Sequence, residues 1–517
     1  MAKKGKDTRQ KRGKETEQKE PSCDLEEQVR PAAGFHGFAS FAAAIRTSRY
    51  LQLLLAITIM GAFLRLFQLG AASLWLDEAS TLTFARQTVT QIWGSLSSGT
   101  EFNPPLFYWM EHGMLAFGDS ETVLRLIPAI LGILTIPVFY LVGEEILDRN
   151  TGILAAALLA FSPFQLYYSQ EARAYGPMLF FYSIAFYFFL RLLKSWGRRD
   201  ALLFGIFSAL AFWTHFYAFV PILALFLFVI GVKVKPILAN IRAAVPIGIA
   251  IVTFTVLSLP LIVFAIQLFL IRTGGAPAFG IQGFDTVTMT IVQISGLYTQ
   301  GVSPVLAWVF VILFIAGVAA LFPRDRQKSL LLAFAFVFPL ILSVILSYRM
   351  PMVPRYLIYL LAAFFPGIAL IIRPACSLVK SKNLVYGALI LALLINLPIL
   401  YPYYTTPQKD DWRGLSKELL STAQAGDLVV ALPGYIHQPL NYYYNNETAG
   451  TLESGFSRVE DIEGAITANP GHSVWFVVTG DIMSVDPQAL VVNWLAQHSK
   501  PVWRSGNGGI LLLKYSG

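Results

Sequence analysis

The chain has 517 residues, of which 55% are hydrophobic and only 14% are charged, and its formal net charge at pH 7 is +8. Soluble domains average roughly 25% charged residues, so this composition excludes an ordinary soluble protein and indicates an integral membrane protein. Because membrane proteins retain basic residues in cytoplasmic loops, the positive charge is a topology signal and does not indicate nucleic acid as a partner.

The N-terminal segment has mixed charges and almost no apolar residues, as in "MAKKGKDTRQKRGKETEQKE". We expect residues 1–49 to form a disordered, basic cytoplasmic tail, because such a composition cannot bury a core. The basic stretch is too long for a signal peptide, and no short cleavable apolar core follows it directly.

Apolar segments that can cross a membrane follow over residues 50–400. A spanning helix needs about 20 residues. The sequence offers about eleven candidates, near 50–70, 121–143, 151–168, 175–193, 201–216, 218–232, 243–268, 303–322, 330–347, 356–373 and 384–400. The fifth and sixth are short and almost continuous. The sequence therefore predicts a mainly α, polytopic helical bundle.

The distribution of Lys and Arg predicts the topology of this bundle. Basic loops recur on one side, at 194–200, 233–236, 323–328 and 373–383, together with the N-terminal tail. By the positive-inside rule this side is the cytoplasm, so we expect a cytoplasmic N-terminus in a plasma-membrane protein. The two cysteines, Cys23 and Cys376, then lie in cytoplasmic segments, so neither a disulfide nor a cysteine-held metal is expected.

Two regions outside the membrane have the patterns of folded structure. Residues 78–118 have helical periodicity with mixed polarity and predict amphipathic helices on the outer membrane surface. From residue 401 to 517 the pattern becomes that of a small soluble α/β domain on the extracytoplasmic side. Helices are predicted in "WRGLSKELLSTAQ" and "PQALVVNWLAQHS", and strands in "DLVVALP", "SVWFVVTG" and "GGILLLKY". We interpret this domain as a lid or recognition domain.

Three outward-facing loops carry the residues that could perform chemistry. They are Asp77, Glu78, Glu101 and Asn103 in the first, Glu171, Arg173 and Tyr175 in the second, and Arg349, Arg355 and Tyr356 in the fifth. A carboxylate at the membrane boundary can act as a general base or bind a divalent metal. Arginines at the same depth can hold a phosphate and stabilise it as a leaving group. Together these residues suit a reaction on a lipid phosphate.

The acidic candidates also have structural interpretations. In "LDEAS", Asp77 can cap the following helix while Glu78 supplies an acid in its first turn. Glu171 and Arg173 could form an ion pair. Residues two positions apart do not face each other on a helix, however, which favours separate partners.

The basic candidates have structural interpretations as well. Arg65, inside the first span, is expected to extend its charged group to the membrane surface. A lone His215 is more often a hydrogen-bonded structural residue than a ligand. Arg349 and Arg355 could anchor helix ends among lipid headgroups. Of these two, Arg355, which precedes Tyr356, is the preferred phosphate ligand.

Several sequence blocks occur together in an order that resembles a known group. The blocks are "LRLFQLGAASLWLDEAS", "NPPLFYW", "YYSQEARAYG", "PRYLIYLL" and a C-terminal module beginning "KDDWRG". Their order resembles the GT-C superfamily of membrane glycosyltransferases, in the group that is similar to dolichyl-phosphate-mannose protein mannosyltransferases and lipid A aminoarabinose transferases. The resemblance covers nearly all of residues 50–517.

The resemblance implies a GT-C fold, a polyprenyl-phosphate sugar donor and roles for individual residues. Asp77 would be the catalytic base, with Glu78 beside it. The donor phosphate would be held by Arg173, Arg355 and Tyr356, and a substrate or second acidic site would contain Glu171, Glu101, Asn103 and Tyr175. Asp77 and Glu171 are candidate ligands if a divalent metal is used. Many members have His before the paired prolines, where this chain has Asn103, so a metal ligand is not implied there.

The resulting hypothesis is an inverting glycosyltransferase that acts at the outer face of the membrane. Its partners would be a polyprenyl-phosphate sugar donor, membrane lipid, and an acceptor glycan, lipid or protein. One alternative is a transporter or flippase of a lipid-linked sugar, although transporters usually place ionisable residues near the midplane. Another is a glycan ligase or polymerase that uses a polyprenyl-diphosphate donor.

Overall fold

The computed structural model describes residues 44–516, except 276, 278, 297–303, 408, 445–449, 455–457 and 507–508, together with Leu25. Of the predicted N-terminal tail, residues 1–24 and 26–43 lie outside the described residues.

The membrane part and the segments that connect its spans are mainly helical. The first half contains α1 Arg49–Leu66, α2 Leu76–Ala85, α3 Val89–Ser97, α4 Leu106–Met114, α5 Glu121–Ile146, α6 Arg149–Ala160, α7 Pro163–Ser169, α8 Tyr175–Ser195, α9 Arg198–Thr214, α10 Phe219–Ala239, α11 Val245–Thr273 and α12 Asp285–Ile294. The second half contains α13 Pro304–Leu321, α14 Arg326–Ser347, a 3-10 helix Pro354–Leu360, α15 Leu361–Ala369, α16 Ile372–Val379, α17 Leu384–Leu394 and α18 Leu397–Thr405.

The chain is a multi-pass membrane protein. Within the described part of the chain, eight helical segments are long and apolar enough to cross a membrane, or nine if α6 and α7, bent by 61°, form one span. Each of the eleven predicted segments coincides with one or more helices, but α9, with 17 residues, is too short to count as a span by itself. The predicted count of eleven spans is therefore not confirmed.

Burial divides the spans into central and peripheral ones. The segment Pro354–Val379 is 83% buried and Tyr175–Ser195 is 61% buried, whereas Ile241–Thr273 is only 22% buried. That peripheral segment exposes a row of apolar side chains, including Val252, Val256 and Val263, which is typical of a lipid-facing surface. The two central segments begin beside Arg173 and at Arg355, so these candidate residues lie at the ends of the best-packed spans.

Arg65 is fully buried and ties α1 to the bend between α6 and α7. Its Nη1 donates to the carbonyl of Ala160 at 3.0 Å, and its Nη2 donates to that of Leu159 at 3.1 Å. The last carbonyls of a helix have no partner within it, and a guanidinium is well suited to satisfy them. The expectation that Arg65 extends to the membrane surface is therefore wrong.

Cys376 is buried in α16 and is disulfide-bonded, whereas Cys23 lies outside the described residues. The expectation that no disulfide forms is therefore wrong for Cys376. It rested on the predicted compartment alone, which does not determine which thiols lie within bonding distance.

Three short helices, α2 to α4, occupy the region where outer-surface helices were predicted at 78–118. A capping box formed by Thr88 and Gln91 starts α3 and separates it from α2. Gln91 N–H donates to the Thr88 hydroxyl at 3.3 Å, and Thr88 N–H donates to the Gln91 side chain at 3.0 Å. The next interruption contains Pro104 and Pro105, directly before α4 begins.

The C-terminal region is a five-stranded mixed sheet with helices on both faces. Its elements are α19 Trp412–Thr422, β1 Leu428–Leu432, α20 His437–Tyr443, β2 Thr451–Ser454, α21 Val459–Ala468, β3 Val474–Thr479, α22 Ile482–Val485, α23 Leu490–His498, β4 Ser499–Arg504 and β5 Ile510–Tyr515. The strand order is β2-β1-β3-β5-β4, in which β2, β1 and β3 are parallel and the last two pairings are antiparallel. Successive side chains of β1 point to opposite faces of the sheet. Val429 therefore packs into the core on one face and Val430 into the core on the other.

The predicted strands β1, β3 and β5 are present, and the structure adds β2 and β4. β4 was not apparent because no residue of "SKPVWR" is fully buried and Pro501 interrupts it, as is common for an edge strand.

This sheet domain rests on the segment that leads into α2. Tyr443 accepts a hydrogen bond from Leu74 N–H at 2.7 Å and donates one to Glu121 at 2.8 Å. Arg413 forms a salt bridge with the same Glu121. The domain is thus attached directly beside Asp77 and Glu78.

Candidate active site

The site begins at the first turn of α2, where two adjacent carboxylates point in different directions. Successive residues of an α-helix are about 100° apart around its axis, so neighbours face different surroundings. Glu78 is fully buried, whereas the Asp77 side chain is 24% exposed. Glu78 also accepts a hydrogen bond from Trp75 N–H at 3.4 Å, which satisfies a backbone donor at the start of the helix.

Glu78 is the centre of a buried ionic cluster with Arg125 and Lys409, which we call the Glu78 cluster. Arg125 binds it through two parallel hydrogen bonds of 2.7 Å, from Nε to Oε1 and from Nη2 to Oε2. Lys409 Nζ donates to Oε2 at 2.9 Å, and Ala172 N–H donates to Oε1 at 2.9 Å. The cluster thereby joins α2, α5, the α7–α8 turn and the linker to the sheet domain.

The charges of this cluster balance the cost of burying Glu78. Burial alone would raise the pKa of the Glu78 carboxyl, but the nearby charges of Arg125 and Lys409 and the hydrogen bonds from Arg125 and Ala172 lower it to about 2. Glu78 is therefore ionised at neutral pH. Because both of its oxygens are engaged, its geometry favours a structural role, and direct catalysis by Glu78 stays a prediction.

Asp77 lies between two arginines, and we call these three residues the arginine site. Arg355 Nη2 donates to Asp77 Oδ2 at 3.4 Å, and Arg173 Nε lies 3.9 Å from the same oxygen. Arg173 also donates through Nη1 to the Asp77 carbonyl and to the Thr81 hydroxyl, each at 3.2 Å. The structure thus brings together the predicted base and the two arginines among the three predicted phosphate ligands.

Aromatic rings form the wall around Arg355. Its guanidinium carbon lies 5.6 Å from the ring centroid of Trp75 and 5.8 Å from those of Tyr175 and Tyr356, within the range of cation–π contacts. Tyr356 stacks on Tyr217 with centroids 4.8 Å apart. Tyr175 and Tyr356 are therefore placed at the site, and their rings hold Arg355 in position.

His215 packs against this aromatic wall, with its ring centroid 5.1 Å from that of Tyr356. Burial lowers the pKa of its imidazole to about 3, and the charges of Arg173 and Arg355 act in the same direction. His215 is therefore neutral at physiological pH. Arg349, in contrast, is exposed.

Glu171 is fully buried in the turn between α7 and α8. Neither of its carboxylate oxygens accepts a hydrogen bond from any residue that the structure describes. Burial raises the pKa of Glu171, whereas the positive charges of Lys409 and Arg355 oppose the rise. A buried carboxylate without hydrogen-bond donors is costly, so this side chain favours a proton or a donor from a ligand.

Glu101 and Asn103 shape the loop that precedes α4. Glu101 Oε1 accepts hydrogen bonds from Phe102 N–H at 2.7 Å and from Asn103 N–H and Nδ2, at 2.8 and 2.7 Å. Asn103 lines a small cleft together with Arg173 and Tyr175. The structure therefore brings Asn103 to the arginine site, whereas Glu101 is occupied within its own loop.

The residues at the arginine site do not fit a divalent metal. Asp77, one of the two candidate ligands, already faces Arg173 and Arg355, whose positive charges compete with a cation. Among the described residues, no group of three or more His, Cys, Asp or Glu side chains is placed to hold a metal ion. We therefore derive no step through a metal.

Three residues of the site were not predicted from the sequence as functional. Arg125 stood inside a predicted apolar span, and a charged residue in such a position is itself a signal of a specific partner. Lys409 stood in "KDDWRG", where nothing in the sequence connects it with Glu78 more than 300 positions earlier. Trp75 was part of the quoted motif but was not assigned a role.

Comparison with known proteins is consistent with this architecture. Residues 103–263 match the family described as dolichyl-phosphate-mannose-protein mannosyltransferase. Among curated protein sequences, none matches the chain.

The structure is similar to that of ArnT from Cupriavidus metallidurans. For the complex with undecaprenyl phosphate the TM-score is 0.58 at 11% identity, covering 90% of this chain and 98% of ArnT. The structure is also similar to the apo oligosaccharyltransferase of Archaeoglobus fulgidus, with a TM-score of 0.52 at 14% identity, covering 90% of this chain and 74% of that chain. The archaeal enzyme AglB with an inhibitory peptide and dolichol-phosphate gives 0.51 at 13% identity, with the same coverage.

The chain therefore has a GT-C fold of the kind found in ArnT, as the resemblance implied, and residues 103–263 match a glycosyltransferase family. The family match and this fold support a glycosyltransferase.

Proposed function

We propose that this protein is an inverting glycosyltransferase that moves a sugar from a polyprenyl-phosphate donor to an acceptor hydroxyl at the outer face of the plasma membrane. The observation that carries the proposal is the arginine site, in which a partly exposed Asp77 lies within 3.4 Å of Arg355 and 3.9 Å of Arg173. A base and two phosphate ligands are what such a transfer requires of the protein.

In the proposed reaction, the Asp77 carboxylate accepts the proton of the acceptor hydroxyl. The hydroxyl oxygen forms a bond to the anomeric carbon, while the bond from that carbon to the phosphate oxygen breaks. The electron pair of the broken bond stays on polyprenyl phosphate. Because the new bond forms on the face opposite the leaving group, the anomeric configuration is inverted.

Arg173 and Arg355 would stabilise the charge that develops on the departing phosphate. Their contacts to Asp77 are longer than the 2.7–2.9 Å that is usual for charge-assisted hydrogen bonds, so a phosphate can replace them without breaking a tight pair. Tyr356 would hold Arg355 through its ring, and Asn103 and Tyr175 would contact the substrate. The neutral His215 adds no competing charge.

The charge of the arginine site favours a monophosphate donor over a diphosphate. Arg173 and Arg355 together with the Asp77 carboxylate give a net charge of +1, and burial raises the pKa of nearby Glu171 to about 7, so that Glu171 is only partly ionised at neutral pH. A polyprenyl-phosphate sugar is a phosphodiester with one negative charge, which neutralises the site. A diphosphate donor would leave an excess negative charge in a buried region, which is unfavourable.

The test is sugar transfer in membranes that contain the full chain or its Asp77→Asn variant. A panel of radiolabelled polyprenyl-phosphate sugars is offered to endogenous acceptors, with oligosaccharide-diphosphate donors in a parallel series and EDTA added to a duplicate of each. We expect transfer from a monophosphate donor, insensitive to EDTA, and a loss of roughly 10²- to 10⁴-fold in Asp77→Asn, the range for removing a general base.

The control is Asp119→Asn, which removes an exposed carboxylate that pairs with Arg86 away from the arginine site and should keep full activity. Full transfer by Asp77→Asn would contradict the assigned base. Transfer only from diphosphate donors would instead identify a glycan ligase or polymerase. If lipid-linked sugar crosses the bilayer and no transfer occurs, the protein is a transporter.

A further inference from the structure

A second cavity of about 460 Å³ lies between the outer ends of the membrane helices and the linker to the sheet domain. Its wall includes Gln68, Tyr167, Gln170, Tyr403, Tyr404 and Lys409. A volume in this range is typical of sites for small molecules or single groups of larger ligands. Its wall includes none of the three residues of the arginine site, so the cavity is a separate compartment.

The guanidinium in the cavity wall has no donor left for an anionic ligand. All five N–H groups of Arg125 are used, since Nε and Nη2 bind Glu78, Nη1 donates to the carbonyls of Leu69 and Ala72, and Nη2 also donates to that of Ser73. The wall further contains the acidic residues Asp410 and Asp411. Lys409, the other cation of the wall, is already paired with Glu78 at 2.9 Å. This combination disfavours phosphate, which requires unoccupied donors.

Three hydroxyl groups of the wall have already donated their protons within the protein. Tyr403 donates to Gln170 Oε1 at 2.6 Å, Tyr404 donates to the Leu64 carbonyl, and Thr405 donates to the Tyr401 carbonyl at 2.9 Å. Each hydroxyl oxygen keeps acceptor capacity after donating its proton. The wall therefore presents acceptors to a ligand and suits a molecule that is rich in hydrogen-bond donors.

Aromatic side chains supply the apolar part of the same wall. The rings of Tyr403 and Tyr404 meet edge to face, with centroids 4.9 Å apart and planes at 83°. Tyr167 lies edge to face with Tyr403 at 6.3 Å. Rigid tyrosines that combine an apolar face with polar groups fit a ligand that is itself both apolar and hydroxylated. A pyranose ring has this character, because C–H groups form its faces and hydroxyls its edge.

We propose that this cavity binds a saccharide unit of the glycosyl acceptor. The inference rests on the proposed function, since it takes the arginine site as the place of the donor. The donor sugar is bonded to the phosphate and must lie beside Arg173 and Arg355, so it cannot occupy a cavity whose wall excludes them. An acceptor that carries a glycan would place one of its sugars here.

The saccharide in this cavity contacts the Glu78 cluster through Lys409, which both lines the cavity and bonds Glu78 at 2.9 Å. Glu78 directly follows Asp77 in α2. Acceptor binding therefore stabilises the linker in the position that keeps the first turn of α2 in place.

The experiment measures binding of methyl glycosides by saturation-transfer difference NMR, with the full chain in a detergent that has no sugar head group. The probes are the methyl α- and β-pyranosides of common hexoses and pentoses, and inorganic phosphate is the competitor. Ala71→Phe and Thr405→Tyr introduce bulky groups from two exposed positions of the wall, so neither removes a core side chain. Ala425→Phe, at an exposed position in the sheet domain, is the matched control.

We expect saturation transfer to at least one glycoside in the wild-type protein and in Ala425→Phe, loss of that signal in Ala71→Phe or Thr405→Tyr, and no displacement by phosphate. The absence of any signal in the wild type, an unchanged signal in both filling variants, or displacement by phosphate would overturn the proposal. The Asp77→Asn protein should still bind the glycoside, so a failed transfer reaction and a failed cavity assignment are read out separately.

Discussion

The Glu78 cluster and the arginine site begin at adjacent residues of one helix, yet their packing is opposite. In the cluster, Glu78 is fully buried and its side-chain ion-pair contacts measure 2.7–2.9 Å. In the arginine site, Asp77 is 24% exposed and its contacts to Arg355 and Arg173 measure 3.4 and 3.9 Å. The comparison teaches that the same residue types can serve as a fixed frame or as a site that is open to a substrate.

The difference follows from the free energy that each carboxylate would lose if its ion-pair partners were replaced. A buried charge depends on its partners, because removal of one leaves the others desolvated and unpaired. A partly exposed ion pair with long contacts is worth little in isolation, since water competes with it. The arginine site can therefore release its internal contacts to a phosphate, whereas the Glu78 cluster must stay intact during the reaction.

The largest expected effect on stability comes from removing the charge of Glu78. Glu78→Gln leaves Arg125 and Lys409 buried beside a neutral side chain, and breaking a buried pair in this way costs about 3–5 kcal/mol. The isosteric change one position earlier, Asp77→Asn, should change stability by less than about 1 kcal/mol. Thermal unfolding of the purified proteins in detergent measures both.

If the thermal midpoint of Asp77→Asn falls as far as that of Glu78→Gln, the distinction between a structural Glu78 cluster and an open arginine site is wrong.

The pH dependence of stability provides a second measurement. Because the folded pKa of Glu78 lies near 2, below its ordinary value of 4.5, its contribution is present above pH 4.5 and lost as the pH falls toward 2. The difference in free energy of unfolding between the wild type and Glu78→Gln should therefore become smaller below pH 4.5.

The next effect concerns how the arginine site holds a phosphate. Arg355→Lys keeps the positive charge but loses the planar, bidentate donor pair and its stacking on Trp75 and Tyr356. We expect kcat/KM for the polyprenyl-phosphate donor to fall roughly 10- to 100-fold, about 1.4–2.8 kcal/mol of transition-state stabilisation, with little change in stability. Arg349→Lys, at an exposed position in the same loop, is the matched control.

Equal losses in Arg355→Lys and Arg349→Lys would indicate a general effect of charge at the membrane surface. If kcat stays constant and only KM rises, Arg355 holds the donor equally in the ground state and the transition state. Its assigned role on the departing phosphate would then be wrong.

The sequence predicted the helices well because long apolar runs allow few other structures in a membrane. It also predicted that Asp77, Arg173 and Arg355 lie in loops on one side of the membrane, and the structure brings these three side chains together. The number of spans could not be fixed, because α9 has only 17 residues and α6 and α7 meet at a bend of 61°, so length and apolarity alone do not decide how many segments cross. Where a helix bends or stops depends on packing that apolar periodicity does not encode.

The Glu78 cluster was beyond sequence reasoning for a different reason. Its members come from positions 78, 125 and 409, and no local pattern pairs residues so far apart. The sequence left helix capping and catalysis open for Glu78, and the bond from Trp75 N–H shows that it does satisfy the helix start. Only the three-dimensional contacts show that most of its acceptor capacity serves Arg125 and Lys409.

The smallest expected effect tests Glu171, which lies between the two regions. Four charged groups act on it, namely Lys409, Glu78, Arg355 and Asp77, and burial raises its pKa above the ordinary value of 4.5. The folded protein therefore binds a proton at Glu171 more tightly than the unfolded chain does. That contribution is fully present below pH 4.5 and is lost as the pH rises through the folded pKa, with a slope of at most about 1.4 kcal/mol per pH unit. Glu171→Gln removes the titration, so the thermal midpoint of the wild type should fall relative to the variant between pH 5 and 8. A difference in thermal midpoint that is constant across this range would mean that Glu171 is ionised throughout. Its negative charge would then cancel the net charge of +1 of the neighbouring arginine site, on which the choice of a monophosphate donor rests.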